Sequence, residues 1–568
     1  VFYVEQAPTK GYLSSVDPKI HLGLGGHTII DSLIIRWTDG SLTRLKNLAA
    51  NTLHVIIEAD SIKSNVAVPH VAARPLLSED NNVLATYRNI ASEFIDFNRD
   101  RLLFEMISNE GQRIATGDVN GDGREDLFIG GSANIAGTLW VQRPAGAFQA
   151  SSRPFDAEKK SEDTDAVFFD ADTDGDPDLF VCSGGNQYPH GSPELKDRLY
   201  INDGHGKFSK LPQFTLEGDK RESSAFAVPL DFNNDGHMDL VVGSRVIPFY
   251  YGVPANAYLY ENDGHGRFRD VTAAHAPGFL KLGLLRDAVA TDIDRDQDTD
   301  LVVCGEWMPL RIFENVNGKF IHSGDHGLNQ TNGLWNTIEV LDVNDDGYPD
   351  LVAGNNGLNS RYKASAKEPL RMYVGDFDSN GNVDHILCQT MGKKAYPMVM
   401  LPDLTKQMPV LRKKFVTYDQ YKDKSIEEVV DPVTLENAIG LTASDLETCL
   451  FINEAGKGFK RRALPAQAQF TKICGVSAGD FNVDGKLDLV LAGNHSRIKP
   501  ELGLQNAGYG VMLIGDGTGE FNAISARESG LVIRGEVRDI ANIRIGDEAY
   551  LLFLRNNDKL KVFKQRKQ

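Results

Sequence analysis

The 568-residue sequence holds only five cysteines, an odd number, so it lacks the material for a disulfide framework. It has no apolar run long enough to span a bilayer, which predicts no membrane insertion within this chain. Residue 1 is a bare Val with neither a charged n-region nor an apolar h-region after it, so the chain reads as a processed or excised piece. Positive charge is scarce: 60 Lys and Arg stand against 79 Asp and Glu, a formal net charge of −19. That balance excludes the basic face a nucleic-acid partner requires. Catalytic signatures are missing too, with no H-E-x-x-H, no G-x-x-x-x-G-K-[ST] and no G-x-G-x-x-G behind a strand. The one nucleophile-elbow match, "GVSAG" at 475–479, runs directly into an acidic loop with no helix after it, and is rejected. His205 and His265 occupy the same place in two "NDGHG" turns, and "LRKKF" at 411–415 reads as a solvated helix face.

What the chain has is repetition. "DVNGDGREDL" at 118 returns as "DADTDGDPDL" at 170, "DFNNDGHMDL" at 231, "DIDRDQDTDL" at 292, "DVNDDGYPDL" at 342, "DFDSNGNVDH" at 376 and "DFNVDGKLDL" at 480. Positions 1, 3, 5 and 9 of these loops hold 23 Asp, more than the whole formal excess, so bound divalent cations would neutralise most of the net charge.

Alternate residues of a curled loop converge on one point. Oxygens at positions 1, 3, 5, 7 and 9, with position 7 offering its backbone carbonyl, suit Ca²⁺ and its 6–8 oxygen ligands. The candidate ligands are Asp118, Asn120, Asp122, Arg124 and Asp126 in the first loop, and Asp170, Asp172, Asp174, Asp176 and Asp178 in the second. The third and fourth loops offer Asp231, Asn233, Asp235, His237 and Asp239, then Asp292, Asp294, Asp296, Asp298 and Asp300. The last three offer Asp342, Asn344, Asp346, Tyr348 and Asp350; Asp376, Asp378, Asn380, Asn382 and Asp384; and Asp480, Asn482, Asp484, Lys486 and Asp488. About seven Ca²⁺ sites are expected, one per loop. No Glu stands at position 12 and the flanks are strands, which excludes an EF-hand; no loop offers the His and Cys set of a zinc site. A lone acidic turn can solvate its own charge, but seven copies crowding carboxylates together would oppose folding without a cation. Gln297 in place of Gly, and Asn380 with His385, mark the 292 and 376 loops as variants.

The loops are spaced 52, 61, 61, 50, 34 and 104 residues apart. Each lies between β-type apolar runs, and a second signature follows most of them: "LYINDGHGKF" at 199, "LYENDGHGRF" at 259, "RIFENVNGKF" at 311, "LFINEAGKGF" at 450 and "MLIGDGTGEF" at 512. Each of these reads as a strand, a Gly/Asn/Asp turn and a returning strand. Four strands per repeat predict an all-β fold, a calcium-binding β-propeller of seven blades, with eight as the alternative. The 34-residue gap is too short for a full blade, and the gap before Asp480 contains a helical insertion near 405–445. The stretch "GEVRDIANIRIGDEAYLLFLRNNDKLKVF" repeats the strands without the acidic loop and is expected to close the ring, its sheet completed by a strand from about 100–107. Residues 1–60 form a separate small β-unit, with Ile29 to Trp37 and Leu53 to Ile57 as apolar runs; 61–84 reads as a linker, and 85–568 as the propeller. Cys182, Cys304 and Cys388 each lie four residues after the last Asp of a loop, where other copies have Gly130, Gly243, Gly354 and Ala492, so they read as filler of a small buried slot.

The repeats resemble the FG-GAP/VCBS repeats of integrin-alpha-type propellers, whose loops carry a D-x-[DN]-x-D-G-x-x-D-L calcium pattern. The first 60 residues, with "GYLSSVDPKIHLGLGGHTIIDSLIIRWTDG", resemble the ASPIC/UnbV domain that accompanies such repeats in proteins similar to cartilage acidic protein. The pairing is similar to surface or secreted proteins of Bacteroidetes-type bacteria. The resemblance implies an extracellular or cell-surface, calcium-bound module for adhesion or binding, whose partner is a glycan or a protein, and a missing N-terminal half. It implies no settled activity. A polysaccharide-cleaving, lyase-like propeller is the rival reading and a pure scaffold the third. Trp307, Trp335, Asn336, Asn355, Asn356 and Arg361 are the candidate ligand-binding residues, since carbohydrate sites combine aromatic faces with planar polar groups.

Overall fold

In the computed structural model of the chain, the residues described are 3–7, 9–11, 14–15, 17, 19–39, 41–61, 74–211, 222–322 and 324–566. They fall into two units, Val1–Arg74 and Pro75–Gln568. In the first, Ile29–Arg36 pairs antiparallel with Leu42–Ala49, and the Asp39 carboxylate accepts the Ser41 N–H (2.8 Å) in the turn between them. Leu53–Ile57, expected as another strand-forming run, is not a strand, and Leu53 and Val55 stay exposed. An extended run becomes a strand only where a free edge meets it with ladder hydrogen bonds.

The second unit is a ring of seven antiparallel sheets, each of four strands, the fourth adding the short strand Gly333–Leu334 beside Asp300–Met308. Their first strands are Ile114–Gly117, Glu162–Phe169, Ser223–Leu230, Leu284–Thr291, Thr337–Leu341, Ile473–Gly479 and Val537–Ile545. Each lies beside the next, and the seventh beside the first, so these strands line the axis and the sheets are the blades of a closed propeller. Second strands are sandwiched between blades, as in the fully buried Asp178–Gly184 and Asp300–Met308. Such strands read as continuous apolar runs rather than alternating ones.

Two expectations are corrected. The last blade is completed by Leu77–Glu79, which pairs with Lys561–Gln565 (Gln565↔Leu77), and not by 100–107; the stretch 61–84, expected as a linker, therefore contains a strand. Leu77 packs with Phe553 and Phe563, whereas Leu102 and Phe104 are buried in a second cluster and Leu103 and Ile107 in a third. The short 34-residue spacing arises because the fifth blade is split: Thr337–Leu341 and Asp350–Gly354 are followed by an inserted unit before Cys449–Asn453 and Phe459–Ala463 finish the sheet. The insertion has its own four-stranded sheet, Lys394–Pro397, Asp384–Met391, Leu370–Gly375 and Ile439–Ala443 in spatial order, which carries the 376 loop. The ring therefore has seven blades, and the eighth sheet lies outside it. Short helices from Leu401–Gln407 to Pro432–Glu436 cover that sheet; Thr417 with Gln420 and Ser425 with Glu428 form capping boxes.

The five cysteines are free and buried. The small slot is set by the residue opposite it on the first strand. Cys182 faces Asp165 and Cys304 faces Asp287, but Gly243 faces Phe226, whose ring occupies the space a Cβ would need.

Around the axis, three of the first strands bulge at a carboxylate: Asp165, Asp287 and Asp539. Each reaches the first strand of the next blade, Asp165 accepting Ala227 N–H (2.9 Å), Asp287 Ile338 N–H (3.3 Å) and Asp539 Ile114 N–H (2.8 Å). Arg113 pairs with Asp287 (3.4 Å) among them. Burial, reinforced by Asp287 and Asp539, pushes Glu339 up to about 7, and burial pushes Asp165 to the same value. A carboxyl raised above its unfolded value is protonated in the fold and ionised in the unfolded chain, so stability falls as pH rises from about 4 to about 7 and then levels. Thermal melts of Glu339→Gln should match the wild type at pH 4.5 and exceed it at pH 8; equal melting temperatures at pH 8 would contradict this account.

Candidate metal centres

Each acidic loop joins the first and second strands of its sheet, and all seven share one backbone shape. Position 4 is left-handed throughout, with φ between +57° at Asp345 and +69° at Arg295; position 6 lies between +78° at Gly123 and +95° at Gly175. Gln297 adopts φ +79° at position 6, so the 292 loop keeps the shape without the glycine that would hold it most cheaply.

The position-1 carboxylate organises the turn. Asp118 accepts the N–H of Asp122 (3.1 Å) on one oxygen and of Gly123 (2.7 Å) on the other, and the 170, 231, 292, 342, 376 and 480 loops repeat both bonds. The position-9 carboxylate is buried in every loop. In the six ring loops its Oδ2 accepts the N–H of position 2, as Asp178 does from Ala171 (2.9 Å), and its Oδ1 accepts an N–H from the third strand of the same blade, as Asp178 does from Asn202 (2.8 Å). In the 376 loop a helix replaces the third strand: Gln407 Nε2 donates to Asp384 Oδ1 (3.1 Å).

Ligand oxygens of Asp170, Asp172 and Asp178, of Asp292, Asp294 and Asp300, and of Asp376, Asp378 and Asp384 lie within 4.8 Å of one another. Four buried oxygens in these loops have no hydrogen-bond donor: Asp172 Oδ1, Asp176 Oδ1, Asp378 Oδ1 and Asp384 Oδ2. Where position 3 is Asn, its amide donates to a carboxylate, Asn233 to Asp235 (2.9 Å) and Asn344 to Asp346 (2.9 Å). Burial pushes Asp178, Asp239, Asp300 and Asp384 up to about 7, and the nearby loop carboxylates push the same way. Clustered, donor-poor oxygens without nitrogen or sulfur ligands fit a hard divalent cation, which would satisfy them and offset their repulsion. The side chains at position 7 turn to their neighbours: Arg124 pairs with Asp122, His237 Nδ1 lies 3.2 Å from Thr173 Oγ1, and Arg295 stacks over Tyr348.

Comparison with known families matches residues 118–181, 170–242 and 292–353 to the FG-GAP-like repeat, and residues 1–63 to the ASPIC and UnbV family. The loops at 118, 170, 231, 292 and 342 lie in FG-GAP-like repeats. Integrin alpha-V of Gallus gallus is 29% identical over 161 residues, which are 25% of this chain and 15% of that protein's length. Among solved structures, the V. cholerae biofilm matrix protein Bap1 gives a TM-score of 0.34 at 12% identity, covering 86% of this chain and 91% of that one. The Dos1 propeller gives 0.36 at 8%, covering 86% and 98%. The seven-bladed ring is evident from the sheets alone.

The FG-GAP-like loops are also tied blade to blade, by residues that pattern reading took only for turn formers. Asn202, Asn262, Asn315 and Asn453 each end a third strand, and besides the N–H given to their own loop's position-9 Asp, each donates Nδ2–H to the position-2 carbonyl of the preceding blade's loop. The acceptors are Val119 (2.8 Å), Ala171 (2.9 Å), Phe232 (2.8 Å) and Ile293 (2.9 Å). The signal was present in sequence, one Asn at the same slot of four hairpins. Gln142 plays the same part toward Arg544 (2.9 Å) at the ring closure.

The proposed ligand-binding residues do not form an open site. Trp335 is in the core, donating Nε1–H to Thr331 (2.8 Å) and packing on Phe451. Asn336 and Asn355 are buried and bonded to backbone, while Arg361 is exposed elsewhere. Of the six, Trp307 and Asn356 line a cavity of about 40 Å³ with Tyr251, Glu105 and Arg245. Turns rich in Asn and aromatics are here interior connectors, because the insertion and the segment 102–112 cover them. That segment was not foreseen as functional: Glu110 pairs with Arg245 (2.8 Å) and Arg286 (2.5 Å), and Glu105 with Lys472 (2.9 Å).

Gln297→Gly should raise thermal stability by about 1 kcal/mol, since the left-handed conformation costs a non-glycine residue roughly that much. A melting temperature unchanged or lowered in calcium would refute the strain.

Proposed function

We propose that this chain is a calcium-stabilised binding module that works outside the cell, holding a protein or glycan partner on the end of the propeller opposite its FG-GAP-like loops. The observation that carries this reading is the division of the ring into two ends. All acidic loops of the blades join first to second strands and so gather at one end, where cations and inter-blade bonds hold them. The connections at the other end expose large aromatics: Phe249 and Tyr250 in the third blade, Phe470 between the fifth and sixth, and Tyr509 in the sixth. Exposed aromatics are the usual anchors of an interface, and loops on a rigid scaffold are where binding residues concentrate. The likeness to integrin alpha-V favours a protein ligand. Among the described residues no helix is long and apolar enough to cross a membrane.

When bound, Ca²⁺ would supply the positive charge that Asp118, Asn120, Asp122 and Asp126 and their six counterparts share. Chelation with EDTA should therefore lower the melting temperature by several degrees; an unchanged melt sinks the calcium assignment. Binding is tested by passing the chain in calcium over immobilised polysaccharides and extracellular-matrix proteins, alongside Phe249→Ala/Tyr509→Ala. Retention that the double variant loses at unchanged melting temperature supports the module. Newly formed oligosaccharides would replace it with a glycan-cleaving enzyme.

A further inference from the structure

The asparagines at the blade junctions connect one candidate cation site to the next without a break. Asn202 N–H donates to Asp178, a ligand of the 170 loop; its Nδ2–H donates to Val119 O; and Val119 N–H donates to Asp126 (3.2 Å), a ligand of the 118 loop. The same three bonds run from Asp239 through Asn262 and Ala171 to Asp178, from Asp300 through Asn315 and Phe232 to Asp239, and from Asp350 through Asn453 and Ile293 to Asp300. These asparagines are at most 4% exposed and their Oδ1 atoms are occupied as well, Asn315 and Asn453 accepting the N–H of Gly318 (3.0 Å) and Gly456 (2.8 Å). Each therefore has one geometry available to it, and a shift in either loop reaches the other.

A second set of contacts crosses three of the same four junctions on the surface. Thr173 meets His237 (3.2 Å), Asn234 donates to Asp298 (3.1 Å), and Arg295 lies over Tyr348, each joining position 4 of one loop to position 7 of the next.

Both sets stop after the 342 loop. The slot that holds Asn elsewhere is Gly515 in the sixth blade, where a Cβ would run into the Leu487 carbonyl oxygen, so no side chain can bridge to Val343. The 376 loop belongs to the inserted sheet and is held by Gln407. At the other end of the series Gln142 bonds Arg544, near the end of a first strand that leads into a turn without an acidic loop.

We infer that the five loops at 118, 170, 231, 292 and 342 take up and release their cations as one cooperative arc, with Asn202, Asn262, Asn315 and Asn453 as positioning residues, while the 480 and 376 loops titrate on their own. This rests on the calcium reading above and deepens it. Because the hydrogen-bonded chain runs through ligand carboxylates, a cation that orders one loop lowers the ordering cost of its neighbours, which is positive coupling.

The test is equilibrium dialysis of the EDTA-stripped full chain against Ca²⁺, counting bound ions for the wild type, Asp172→Ala, Asp484→Ala and Asn262→Ala. The wild type should fill the arc in one step with a Hill coefficient above 1. Asp172→Ala should weaken the remaining arc sites by on the order of five-fold, the worth of about one hydrogen bond, beyond losing its own ion. Asp484→Ala should lose one ion and leave the step intact, and Asn262→Ala should split the step in two. Asp172→Ala leaves every inter-blade bond in place, so it decides the question if Asn262→Ala fails to fold. Non-cooperative filling, with each variant losing only its own ion, overturns the inference while leaving calcium binding standing. No bound calcium at all overturns both.

Discussion

The buried carboxylate at the ninth position of each loop is the interaction on which the rest of the propeller depends. Burying a charge is costly unless it is bonded and compensated, and Asp178 shows how this is done. One oxygen closes its own loop through Ala171 N–H, and the other fastens the loop to the third strand through Asn202 N–H. What remains of its negative charge faces the other loop oxygens. A single side chain thus joins the first, second and third strands of a blade around a place built for a cation. The Asn that supplies the third-strand donor extends the joint into the next blade.

That arrangement makes the two ends of the ring physically different. At the loop end the chain is repetitive because each part must satisfy the same oxygens; at the opposite end nothing imposes a common sequence, and the connections diverge. There the fifth blade admits its insertion, aromatics reach the surface, and the segment around Glu105 and Glu110 is held by buried ion pairs with Arg245, Arg286 and Lys472. Removing one partner of such a pair leaves a buried charge exposed to nothing, so the segment is firmly seated. On the proposed function, stability and recognition fall to separate surfaces of one scaffold.

Much of this was legible in the residues. Seven acidic loops with the same internal spacing, hairpin signatures after most of them and a Gly, Ala or Cys slot are local patterns, and every loop joins the first two strands of a sheet. Even Gln297, which breaks the pattern, sits in the same backbone conformation as the glycines. The asparagine bridges were visible but not interpretable, because Asn is at home in turns for reasons of its own, and Val119 O, which Asn202 meets, is 83 residues away. Trp335, Asn336 and Asn355 misled for the same reason: polar and aromatic residues in a loop look available until something folds over them.

By itself the sequence determined the repeat, the strand pair around each acidic loop and the oxygen sets of the loops, all of which depend on residues within about one blade of each other. Tertiary structure alone decided that Leu77–Glu79 rather than 100–107 closes the ring, that the 376 loop lies outside it, and that the chain of junction bonds ends at Gly515. Those outcomes turn on which of several apolar segments best fills one remaining edge, and on whether a backbone passes too close for a side chain. Both are properties of surfaces that exist only once the other blades are in place.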